Sequence, residues 1–166
     1  MRSLPTGTRR QLVAGAFLLG VGLMGVLDVA IFHEMLGWHH LLSARTSDPR
    51  TNELADGVFH LGTSVVTVVG VALLWRAASH LPEVRGGRHL VAGALLGGAS
   101  FNVAEVTVDH LLLRLHTLHP SGDLRLDTAF LGANFALAAA AAWAIRRAPE
   151  PPAGRILRRR RRAFGE

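Results

Sequence analysis

Four long apolar stretches, about 11–36, 54–75, 89–113 and 126–145, fill most of this 166-residue chain. Each is close to the roughly 20 residues an α-helix needs to cross a hydrocarbon core about 30 Å thick. A transmembrane barrel would need strands of alternating polarity, and these stretches do not alternate. The expected fold class is therefore all-α: a four-helix transmembrane bundle over residues 1–147, followed by a basic, flexible tail over 148–166. The first stretch is longer than a signal-peptide core and no A-x-A site follows it, so it is expected to remain as the first transmembrane helix. No internal repeat is evident at this level.

Charge placement gives an orientation. All 18 basic residues are arginine, and there is no cysteine. Fourteen arginines flank the first helix's start, the 76–88 connection and the C-terminal tail; only Arg45, Arg50, Arg114 and Arg125 lie at the other end. The positive-inside rule then places both termini in the cytoplasm, N-in and C-in, in the inner (plasma) membrane. The run of five arginines at 158–162 is expected to rest on anionic lipid head groups rather than on nucleic acid. The bilayer is thus the first expected partner. Without cysteine, a disulfide framework and a thiolate metal site are both excluded.

The stretch GVLDVAIFHEMLGWHH (25–40) is membrane-grade sequence that nevertheless carries two carboxylates and three imidazoles. With N-in helices, Asp28, His33, Glu34, His39 and His40 fall at the outer end of helix 1. Asp56 and His60 open helix 2. Asn102, Glu105, Asp109, His110, His116 and His119 end helix 3, and Asp127 opens helix 4 with Asn134 below it. These residues converge on the extracytoplasmic half, while the inner halves are nearly free of charge. A charge at mid-membrane costs about 2.5–3.5 kcal/mol on insertion scales, so such residues need partners.

Spacing ranks the candidates. Asp56 and His60, four apart, share a helical face, a spacing that suits metal chelation or a carboxylate orienting an imidazole. His33, Glu105 and Asp109 come next, followed by Asp28, His110 and Asp127. At 100° per residue, Asp28 lies about 140° from His33, too far round for one narrow α-helical face. His116, His119, His39 and Trp38 read as interfacial, His116 also continuing the stripe of Asn102, Glu105 and Asp109 one heptad on, with His39 and His40 shielding the outer mouth. Asn102 and Asn134 read as hydrogen-bonding contacts between helices. A mixed oxygen and nitrogen donor set favours zinc or iron, and is compatible with manganese or copper(II). An ion-paired or proton-conducting network without metal is the alternative, as is a haem held by two histidines. The E-x-x-H motif of di-iron carboxylate bundles is missing, since Val108 stands three residues after Glu105.

The strings D-x4-HE-x-L-x-WHH, ADG-x-FH, FN-x2-E-x3-DH and D-x2-FL occur in this order. Their combination resembles an uncharacterised bacterial family of small four-helix membrane proteins, a domain-of-unknown-function family. The likeness spans about residues 12–140. It implies a four-helix fold but no activity. It also implies a setting near respiratory-oxidase assembly factors, hence such an assembly partner, or a homo-oligomer. The combined expectation is an integral membrane protein with a His/carboxylate transition-metal centre, in metal handling or metal-dependent chemistry.

Overall fold

The computed structural model describes residues 6–78 and 86–147. Helix α1 (Thr6–Asp28) passes into a π-helical segment, π1 (Val29–Met35). Helix α2 (Pro49–Ala78) follows. Helix α3 (Gly86–Glu105) passes into π2 (Val106–Leu112), and α4 (Leu124–Arg147) completes the set. Four spans are long and apolar enough to cross a membrane: Arg10–Met35, Pro49–Ala77, Gly87–Leu112 and Leu124–Arg147. The tail 148–166, His80 and Arg85 lie outside the described residues.

Helix α2 begins at Pro49, several residues before its apolar run. Proline suits a first helical position because the missing N–H would have had no partner there. Asp48 caps the helix: its Oδ2 accepts from the Thr51 amide at 3.1 Å and the Thr51 hydroxyl at 2.5 Å. The hydroxyl bond, together with the amide bonds, holds the exposed Asp48 carboxyl below its usual pKa. Asn52, one residue on, is buried and donates to the Thr46 carbonyl at 3.2 Å. Asp123 opens α4 by accepting from the Arg125 amide at 2.9 Å.

The helices lie in the order α2–α1–α3–α4. Helices α1 and α3 form the inner pair, with α2 packed on α1 and α4 on α3. Burial follows: 44% of the most apolar window is buried in α1 and α3, against 11% in α2 and α4. The outer helices consequently expose Leu61, Val68 and Trp75, and Phe135 and Trp143. Such faces are expected of a lipid-facing surface, where no burial is required.

Small residues let the inner pair approach closely. A Cβ on Gly97 would fall onto the Phe17 carbonyl, and one on Gly20 onto the Ala94 carbonyl. Gly93, four residues before Gly97, faces the Ala16 methyl. Adding 77 to 17 and 20 gives 94 and 97, so the same backbone contact is made twice with the helices exchanged. Gly97→Leu should therefore push α1 from α3 and cost about 1–3 kcal/mol or more. Gly62→Leu, where a Cβ meets nothing within 4 Å, is the control. Thermal melting in detergent should fall for the first and not for the second; equal melting would contradict the contact.

Candidate metal centre

The two π segments solve a geometric problem set by the sequence. On an α-helix Asp28 and His33 diverge. In a π-helix the hydrogen bond closes from i to i+5, which brings residues five apart onto one face. His33 Nε2 accordingly lies 3.4 Å from Asp28 Oδ2. Glu105 and His110 are also five apart and straddle π2 in the same way.

Each π segment ends in the same tight turn. Gly37 and Arg114 both take positive φ, 56° and 50°. Leu36 N bonds Ile31 O and Trp38 N bonds Phe32 O, both at 2.9 Å; Leu113 N bonds Val108 O and Leu115 N bonds Asp109 O, both at 2.7 Å. A left-handed conformation costs a non-glycine residue about 1–2 kcal/mol, so Arg114 is held there by the surrounding bonds. The turns throw residues 38–41 and 115–118 back across the end of the bundle. There they bond one another reciprocally. His39 Nδ1 donates to Leu118 O at 3.1 Å, and His116 Nδ1 donates to Leu41 O at 3.1 Å.

These pairs reveal an internal repeat, which corrects the expectation of none. Adding 77 to 28, 33, 37, 39 and 41 gives 105, 110, 114, 116 and 118. Asp56 and Asp127 play matching parts on α2 and α4. Asp56 Oδ1 accepts from the Leu41 amide at 2.8 Å and approaches His33 Nδ1 at 2.9 Å. Asp127 Oδ1 accepts from the Leu118 amide at 3.0 Å and forms a short hydrogen bond with His110 Nδ1. The bundle end is therefore pseudo-twofold, with α1–π1–α2 related to α3–π2–α4.

Four imidazoles occupy its middle. Ring centroids of His33 and His39 are 4.8 Å apart, His39 and His116 4.5 Å, and His116 and His110 4.4 Å. All four histidines are buried. Three of them, His39, His110 and His116, spend Nδ1 on a defined acceptor and leave a buried Nε2 without a hydrogen bond. His33 lies between Asp28 and Asp56, yet neither approach is well aligned, and both its nitrogens lack a hydrogen bond. Burial lowers the pKa of His39 to about 4 and of His116 to about 3. Both rings are thus neutral at physiological pH, with the Nε2 lone pair free. A neutral imidazole whose other nitrogen is tied to a carbonyl or carboxylate is the usual state of a metal ligand. Donor atoms of Asp28, His33 and His39 lie within 4.8 Å of one another, as do those of Glu105, His110 and His116.

Of the residues selected from sequence, Asp28, His33, Asp56, Glu105, His110 and Asp127 come together here. His60 does not join the imidazole cluster. It is half-buried and lines a groove with Glu34, Glu53 and Asp56 on the α2 side. Asp109 is half-buried at the position where the first repeat has Phe32. His40 bonds Asp56 Oδ2 at 2.6 Å from a partly exposed position, and its repeat partner is Thr117. His39 and His116, set aside as interfacial or as mere continuations of a helical stripe, sit in the centre instead. The signal that finds them is the repeated spacing [DE]-x4-H-x5-H, present at 28–39 and at 105–116. Asn102 and Asn134 bridge α3 and α4 at 2.9 Å.

The chain belongs to the predicted membrane protein family DUF2243, whose model matches residues 15–148. Neither the search of curated proteins nor that of solved structures found a match.

Proposed function

Starting from a member of a predicted membrane protein family with this buried cluster, we propose that the chain is a metal-binding protein of the inner membrane. Its centre would take a divalent transition metal, zinc or iron first, for metal handling or metal-dependent chemistry. The observation that carries this reading is the set of buried Nε2 atoms on His33, His39, His110 and His116, converging at one end of the bundle without hydrogen bonds. A buried polar atom without a partner costs about 1–3 kcal/mol, and four together describe a site awaiting a ligand. Asp56 and Asp127 would orient His33 and His110, and the Leu118 and Leu41 carbonyls would orient His39 and His116. A haem between two histidines, the lower-ranked alternative, fits poorly: rings stacked at 4.5 Å leave no slot for a porphyrin between them.

The direct test is elemental analysis of protein purified in detergent. The wild type should hold metal. A variant with all four histidines changed to alanine should hold none while remaining helical by circular dichroism. Wild-type protein that is empty and takes up neither Zn²⁺ nor Fe²⁺ on addition would leave an ion-paired network as the better reading.

Orientation belongs to the same proposal. With N-in and C-in topology the centre faces the extracytoplasmic side, and the Arg-rich tail meets anionic lipid in the cytoplasm. Reporter fusions at Pro49 and Gly122 should read outside, and fusions at Gly86 and Gly154 inside. A fusion at Gly86 that reads outside reverses the orientation.

A further inference from the structure

We propose that the centre is dinuclear: one divalent transition-metal ion on Asp28, His33 and His39, and a second on Glu105, His110 and His116. This count rests on the metal reading above and goes beyond it.

Three observations carry it. The first is the repeat. Each half supplies a carboxylate, a histidine five residues later and another six residues after that, through the same π segment and the same positive-φ turn. Structure that recurs so closely places equal donor sets on both sides of the pseudo-axis. Two histidines and one carboxylate form a common face for zinc or non-haem iron that leaves positions open.

The second is reach. Metal–ligand bonds of about 2.0–2.2 Å keep donor atoms within roughly 4 Å of one another. Each half meets that with a small contraction, since its three donors already lie within 4.8 Å. Among the described residues, no such group draws on both halves.

The third is the placement of the carboxylates. Asp28, Asp56, Glu105 and Asp127 are all at most 8% exposed, and their ion-pair partners are histidines. Asp28 and Glu105 moreover lie side by side across the pseudo-axis, so each half brings its own carboxylate to the seam between the two donor sets, where carboxylates stand in two-metal sites.

The experiment uses the full chain in detergent, stripped of metal and reloaded with Zn²⁺. The expected result is two ions per chain in the wild type, one in His39→Ala, one in His116→Ala and none in the double variant. Loading with Mn²⁺ should give a spin-coupled electron paramagnetic resonance signal in the wild type and an isolated Mn²⁺ signal in each single variant. Should a histidine variant fail to fold, Asp28→Asn and Glu105→Gln keep every ring in place, and each should abolish the coupling with the circular dichroism unchanged. One ion per wild-type chain, lost completely in each single variant, overturns the dinuclear centre and leaves metal binding intact. A wild type that takes no ion overturns both.

Discussion

His39→Ala should purify with at least half of its metal gone, whereas His40→Ala should keep nearly all of it. The two residues are neighbours in the chain and both read as interfacial from sequence, which makes the contrast informative. His39 is 5% exposed, donates through Nδ1 to the Leu118 carbonyl and leaves a buried Nε2 facing the cluster. His40 has a side chain 39% exposed and spends Nδ1 on Asp56 Oδ2. Water can replace much of what His40 supplies to Asp56, but nothing can enter to replace an imidazole between His33 and His116. Metal per protein by elemental analysis gives the answer. Full metal in His39→Ala would remove that ring from the donor set and, by the repeat, cast the same judgement on His116.

The second large effect is expected at Asp127. Its carboxylate is 0% exposed and accepts from both His110 Nδ1 and the Leu118 amide. Asparagine keeps the shape but offers a single acceptor oxygen and turns an NH₂ towards donors. At least one buried donor loses its partner, a cost of about 1–3 kcal/mol. Freed from its orienting carboxylate, His110 should bind metal about 10–100-fold more weakly. Asp56→Asn makes the same change on the other side, with a smaller loss of stability, because partly exposed His40 can turn to water. Melting curves and metal titrations of the two variants, run together, test the order. Wild-type affinity and melting in Asp127→Asn would show that His110 is fixed by packing alone.

The pseudo-twofold end also indicates where the halves have diverged. The first repeat has Glu34 and His40, and α2 adds Glu53, Asp56 and His60 to a groove beside π1. The second repeat has Leu111 and Thr117 at the matching places, and α4 has Leu131 opposite His60. Polarity beyond the centre is thus concentrated on the α1–α2 flank. Asp127 Oδ2 is left buried without a hydrogen bond, where Asp56 Oδ2 has His40.

Much of the fold was legible in the sequence because its cause is coarse. A run of some 20 apolar residues fixes a membrane-length helix whatever its neighbours are, and each of the four spans covers all but at most one residue of the apolar stretch from which it was expected. The gathering of Asp28, His33, Asp56, Glu105, His110 and Asp127 at one end followed from counting along antiparallel helices. What tertiary structure decided was finer. The relation of Asp28 to His33 could not be read at 100° per residue, because hydrogen bonds in π1 close five residues on rather than four. His39 and His116 lie beyond the helices, where no periodicity applies. Their place is set by a positive-φ turn at Gly37 and Arg114 and by bonds that each connection makes to the other, between residues 79 and 75 positions apart in the chain. The repeat itself is carried by a few polar residues and a backbone path, while the apolar positions between them vary freely, since lipid and neighbouring helices accept most apolar side chains of suitable size. Sequence determined that this chain puts acids and imidazoles into a membrane; only the folded-back connections decided which imidazoles meet.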